Sequence, residues 1–466
     1  MRRTLLSSVL LTLCAFILQA AFDSPAAEAQ LTAQRLLSNA VSDYGPQYKD
    51  IDRAIALFRQ GKLEECRKAL SDGKTKNPQL APVNVMLSHL LFASGNARGG
   101  VSLLEGVVTK EPNDPEAYIM LADLALRQRR LGEAELMFGK GLAICAEYSQ
   151  NPIRKKNLRN SGLAGVAAVA EARGDWKQAI TRIVEWSKVD PKNANAHSRM
   201  GLAQFRLKQY DESKASFATA RKLNGKLPLP EISLALLHEQ TGNRDQAEKL
   251  FGEAVKAAPS DLNTRLAVVQ WALVAGKNEL AAKNITAAQK LDANSLQVKV
   301  ATGLAARFAG EHKQAMTAFE GVLKQSPRNF TAMNHLALTL IDSTEEKERI
   351  RALGYAHLNA QINSNRKART GREATVTLAW ILFRVGHADA AERILKGILN
   401  AGSIGSESAY YAALILADRG QREAAQKILA SALRSKSQFP GRDEAERILQ
   451  QLARVEQAQT PAKKQK

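Results

Sequence analysis

The sequence predicts an all-α solenoid of about eleven stacked helix–turn–helix repeats, and three observations carry that prediction. Aromatic residues make up only 5% of the 466 residues while Ala and Leu abound, a composition that suits repetitive helix packing better than one large globular core. A turn residue recurs at Gly61, Gly95, Arg129, Gly174, Lys208, Gly242, Gly276, Gly310, Gly386 and Gly420, in most cases 34 residues after the previous one. Five residues after each turn stands a small side chain, and four residues further on a larger apolar one.

Each element of a repeat follows from this phase. Glycine suits a chain that leaves one helix through a left-handed residue and reverses into the next. The small residues are Cys66, Gly100, Ala134, Ala179, Ser213, Ala247, Ala281, Ala315, Ala391 and Ala425, and they let two helices approach closely. Leu70, Leu104, Phe138, Ile183, Phe217, Phe251, Ile285, Phe319, Leu395 and Leu429, one helical turn on, form the buried stripe of the second helix. Pro78, Pro112, Pro191, Pro259 and Pro327 lie seventeen residues after their turns and stop that helix.

This pattern resembles the tetratricopeptide repeat (TPR) family, most fully in Pro112, Tyr118, Leu121, Ala122, Ala134 and Phe138, and the resemblance covers nearly all of the chain. It implies a right-handed α-solenoid, with three repeats over 47–148, six over 160–366 and two over 372–439. Breaks in phase fall at 149–159, read as a lengthened connection containing Arg154, Lys155 and Lys156, at 343–349 in the turn of the ninth repeat, and at a connector over 367–371. Residues 440–456 can form one more amphipathic helix that caps the stack, and 457–466 are expected to be a disordered basic tail.

The first 29 residues have the layout of a signal peptide: Arg2 and Arg3, an apolar run from Leu5 to Phe22, and Ala27-Glu28-Ala29 ahead of a short segment at 30–46. Cleaved, or retained as an anchor helix, this leader sends the repeats out of the cytoplasm, and resemblance to exported bacterial repeat proteins implies the periplasm or cell envelope. Its removal takes two basic and two acidic residues, so the exported chain keeps a net charge of +20. An exported basic protein is expected to meet acidic protein segments or acidic envelope polymers, not nucleic acid, and to touch membrane only through an uncleaved leader. Beyond the leader, Cys66 and Cys145 fall in helices about two repeats apart, too far to bridge, and read as small buried residues.

The sequence offers no enzyme signature. His89, His197, His238, His312, His335, His357 and His387 are scattered, and no pair has the spacing of a helical zinc site. No phosphate loop, dinucleotide-binding motif or nucleophile elbow is present, so neither catalysis nor a cofactor is expected. In the family the first helix of each repeat lines a concave groove, and this implies that Phe92, Arg127, Phe205, Arg206, Arg307, Phe308, Trp380, Phe383 and Arg384 lie on or near the inner face. Aromatic and arginine side chains there would anchor a protein partner, with Trp380, Phe383 and Arg384 as the leading set. The family's Lys and Asn clamp for acidic C-terminal peptides is not found. The expected function is thus a non-catalytic scaffold for protein partners, with a scaffold for exopolysaccharide assembly or export as the alternative.

Overall fold

A computed structural model describes residues 48–434 and 436–459, and among them twenty-three helices and no strand occur. The expected leader at 1–29, the segment at 30–46 and the tail beyond Gln459 lie outside the described residues. The chain divides into two compact units between Ala254 and Val255.

The N-terminal unit is a run of helix pairs. α1 (Lys49–Arg59) is followed by α2 (Leu63–Lys76), α3 (Val83–Ala93) by α4 (Ala97–Lys110), and α5 (Pro115–Arg127) by α6 (Leu131–Glu147). Then come α7 (Pro152–Arg173) with α8 (Trp176–Val189), α9 (Ala194–Arg206) with α10 (Tyr210–Leu223), and α11 (Pro230–Gln240) with α12 (Arg244–Ala257), within which the unit ends. The C-terminal unit repeats the scheme with α13 (Leu262–Ala275) and α14 (Asn278–Asp292), α15 (Leu296–Phe308) and α16 (His312–Gln325), and α17 (Phe330–Leu340) and α18 (Glu346–Ile362). It closes with α19 (Arg369–Arg384) and α20 (Ala388–Leu399), α21 (Ser406–Asp418) and α22 (Arg422–Leu433), and the single helix α23 (Arg442–Gln459).

The repeat phase is realised turn by turn. All ten aligned turn residues are left-handed, from Gly310 at φ 74° to Gly386 at φ 94°, and Arg129 and Lys208 adopt the same conformation at 60° and 64° despite carrying a Cβ. In each turn the next N–H reaches back five residues, as Lys62 does to the Leu57 carbonyl (3.0 Å) and Gln421 to that of Leu416 (2.8 Å), so the last carbonyls of the first helix are satisfied. The small positions are buried throughout, and the larger apolar stripe is buried except at Phe217, which is half-buried. Close approach explains two further glycines: a Cβ at Gly165 would stand 2.3 Å from the Phe138 ring, and one at Gly303 would stand 2.6 Å from that of Phe319. The second helices ending at Lys76, Lys110, Val189, Ala257 and Gln325 each stop two residues short of their proline.

Three expectations about connections change. The segment 149–159 is not an inserted loop, because Asn151 caps the backbone N–H of Arg154 (2.9 Å) and Pro152 opens a 22-residue α7 that absorbs the extra residues. Residues 346–349 are helical, which shortens the ninth turn to 341–345, and the following connection spans 363–368. α23 runs to Gln459 and so takes in the first residues of the expected tail.

The C-terminal unit has one continuous apolar core, from Ala306 to Ala445. It also ties its two ends together: the backbone N–H of Gln438, just before α23, donates to the Val274 carbonyl at the end of α13 (2.7 Å).

Candidate partner-binding surface

The last turn of α9 brings Phe205 and Arg206 to the turn edge of the N-terminal unit. Phe205 is buried, edge-on to the His238 ring at 4.9 Å between centroids and 5.4 Å from the ring of Tyr210, a residue that is 43% exposed. Burial lowers the His238 pKa, so its imidazole is neutral at pH 7. The Arg206 guanidinium stands 5.7 Å from the Trp176 ring centroid, donates from Nη2 to the Gln240 side chain (2.9 Å), and has its Nε shielded without an acceptor. Burial alone lowers the pKa of Arg206, with no carboxylate among the described residues near enough to oppose it. Trp176, Arg206 and Gln240 each lie two residues from a left-handed turn residue, Gly174, Lys208 and Gly242, which places them along one edge of three successive repeats.

Two other arginines packed into this unit have acids. Arg199 stands 5.4 Å from the Trp186 centroid, much as Arg206 faces Trp176, but it also pairs with Glu171 at 2.9 Å. Arg154 is the most deeply buried of them, 1% exposed, and pairs with Asp114 and Glu116 through Nη2 at 2.8 Å each while donating to the Tyr148 hydroxyl at 2.9 Å. His89 adds a contact to Glu116 at 2.9 Å. Burial would raise the Glu116 carboxyl, but Arg154 and His89 outweigh it and hold the group below its usual range. Burial wins at Asp114, which sits above its usual range despite Arg154. A basic run read from sequence as part of a connection thus contains the central cation of the unit's core. Asn151-Pro152, a cap followed by a first-turn proline, is the signal that could have placed it on a helix.

In the C-terminal unit the structure brings together Arg307, Trp380, Phe383 and Arg384, but spends them on internal contacts. Arg307 is a buried cation that pairs with Glu407 (2.5 Å), donates to the Tyr411 hydroxyl (2.9 Å) and approaches His335 (3.3 Å). Burial opposes its charge, yet Glu407 and Tyr411 more than restore it. Trp380, 7% exposed, stacks with Tyr411 (4.9 Å) and with Phe383 (5.7 Å), and Arg384 lies over it at 5.2 Å while pairing with Asp342 at 3.0 Å. Burial, helped by the Arg307 charge, pushes His335 down to about 4. Phe308 is half-buried and outside these contacts.

The two remaining candidates do not join either group. Phe92 packs over Gly100, where a Cβ would come within 2.8 Å of its ring, so it fills the contact between α3 and α4. Arg127 is exposed and pairs with Asp123, one turn back on the same helix, at 2.7 Å. Both cysteines are buried free thiols, and burial raises Cys66 to about 11 and Cys145 in the same direction, which makes them unreactive. Among the described residues no three His, Cys, Asp or Glu side chains gather as a metal ion would need, and no helix is long and apolar enough to cross a membrane.

Comparison with known proteins agrees with the repeat phase. Three tetratricopeptide repeat family profiles match, at residues 91–144, 232–261 and 342–440. Over 153 residues the chain is 26% identical to tetratricopeptide repeat protein 28 of Homo sapiens, a match covering 32% of this chain and 6% of that much longer protein. Similar solved structures include yeast Tom70 (12% identity, TM-score 0.39, 88% of this chain and 96% of that one). A tetratricopeptide repeat protein from Parabacteroides merdae is another (18% identity, TM-score 0.30, 63% of this chain and 99% of that one). Ten left-handed turns in phase, a buried small residue after each, and three family profiles spread along the sequence show that the chain carries tetratricopeptide repeats.

Proposed function

We propose that this protein is a non-catalytic scaffold that holds an acidic segment of a protein partner along the turn edge formed by α8, α9 and α11. Repeat arrays of this family serve chiefly as protein-binding surfaces, and stacking successive repeats builds an extended one. One observation carries the choice of surface: the half-buried guanidinium of Arg206 faces an aromatic ring and a neutral amide, with one N–H shielded and no acid of the described residues in reach. A carboxylate reaching the half-buried guanidinium would give this cation the charged partner it lacks among the described residues, while Trp176 and Tyr210 supply apolar contact beside it. The net charge of +20 would draw an acidic partner in from a distance. The signal-like pattern of residues 1–29 supports a cell-envelope location for this scaffold.

The test uses fluorescence anisotropy with labelled peptides alternating Glu and Leu, against matched peptides alternating Lys and Leu. Wild type should bind the acidic series preferentially. Arg206→Gln, which keeps most of the side-chain packing, should weaken that binding by about tenfold with unchanged melting, as loss of a hydrogen bond to a charged group implies. Equal affinity of Arg206→Gln for the acidic peptides would refute the assignment.

A further inference from the structure

α18 is apolar on two faces. Ala352 and Ala356 point into the core, whereas Ile350, Leu358 and Ile362 are 63, 43 and 39% exposed on the opposite side. These three, with Gly354, are spaced by four residues and form one ridge of the helix, and a side chain at Gly354 would meet nothing within 4 Å. The second helices of the two neighbouring repeats expose polar residues instead, among them Lys313, Thr317 and Lys324 on α16 and Arg393 and Lys396 on α20. The ridge is also flanked by opposite charges: exposed Glu345 and Glu346 outweigh exposed Lys347, which pairs with Glu345 at 3.7 Å, at its start, and exposed Arg366 and Lys367 lie just beyond its end.

We propose that this face of α18 is where a second copy of the chain docks, the two helices crossing antiparallel about a two-fold axis that passes midway between Gly354 and Leu358 on the ridge. The pattern is self-complementary in that arrangement and in no parallel one. Ile350 of one copy faces Ile362 of the other, and the gap at Gly354 receives the other copy's Leu358, so the small residue on the ridge becomes a socket for the large one. The acidic start of each helix lies toward the basic end of its counterpart. These charges stand off the crossing point, so they select orientation instead of forming close ion pairs. A contact of roughly 18 Å of helix per copy is small for a protein interface, and the dimer is correspondingly reversible.

The experiment is sedimentation velocity on the full chain over a concentration series. Wild type should pass from monomer to dimer as concentration rises. Gly354→Leu should leave the helical spectrum and melting of the monomer unchanged, because the position is open, yet shift the dimerisation midpoint at least tenfold by filling the socket. Glu346→Arg should weaken the dimer a few-fold, and adding Arg366→Glu to the same chain should restore it. A wild type that stays monomeric throughout would overturn the proposal. So would a Gly354→Leu variant that associates as well as or better than wild type, which would mark the ridge as a nonspecific apolar patch or the seat of a different partner. α18 and Arg206 are in different units, so failure of one test leaves the other reading standing.

Discussion

Replacing Arg154 with Met should loosen the N-terminal unit more than any surface substitution. The guanidinium makes five hydrogen bonds, at 2.8–3.1 Å, to Asp114, Glu116 and the Tyr148 hydroxyl. Met fills part of the volume but leaves two buried carboxylates, 7 and 1% exposed, without their cation. Breaking a buried pair by removing one partner costs about 3–5 kcal/mol, and the remaining contact from His89 to Glu116 argues for the lower half of that range. The loss has a sign in pH. In wild type, Glu116 lies below its usual range, so its contribution is present above the unfolded carboxylate pKa and fades as pH falls through the lowered folded value. In Arg154→Met, burial acts on both acids unopposed by Arg154, their folded pKa values rise, and stability is lost as pH rises. The deficit relative to wild type should therefore grow between about pH 4 and 7. Because a repeat array opens locally, the measurement is hydrogen exchange of α5 and α7 amides at several pH values, corrected for intrinsic rates. An opening free energy within about 0.5 kcal/mol of wild type, or a deficit that shrinks toward neutral pH, would refute the reasoning.

Two further outcomes follow from turn and core chemistry. Lys208→Gly should raise thermal stability by about 0.5–1 kcal/mol, because Lys208 holds φ 64° against its own Cβ, whereas Gly242→Ala at φ 83° should cost a similar amount. His335, held down to about 4, should stay neutral by NMR titration well below pH 6, and the C-terminal unit should lose stability as pH falls from the unfolded value near 6.5 through that folded value. His335→Gln should remove that part of the acid sensitivity.

The repeat architecture was legible because its determinants are local and periodic. A left-handed turn residue, a small residue five positions on and an apolar one four beyond that can be aligned without knowing what any helix touches, and even Arg129 and Lys208, which break the glycine rule, were placed correctly by phase. What the phase does not encode is contact between repeats. Arg154 is engaged by acids about forty residues upstream, and Arg307 by Glu407 a hundred residues downstream. Such partners depend on how each repeat is rotated against the next, to which a basic run or an arginine near a helix end is blind. For the same reason Trp380 and Arg384, read as groove residues from their position in the repeat, sit close to one another as expected but are occupied by Tyr411 and Asp342. Arg206 stands out only when the surroundings of its guanidinium are known, with the Trp176 ring beside it and its Nε shielded without an acceptor.

Repeat arrays commonly change length, because a duplicated or deleted repeat meets the same neighbours as the one it replaces. The C-terminal unit has given up that freedom. Its Gln438 amide meets the Val274 carbonyl, and Arg307 meets Glu407, only if the intervening helix pairs add up to a fixed rotation. Inserting or excising one 34-residue repeat between them would carry both contacts out of register at once, while the local rules of every turn remained satisfied. This half of the chain therefore counts its repeats, and its length is a structural constant rather than an accident of duplication.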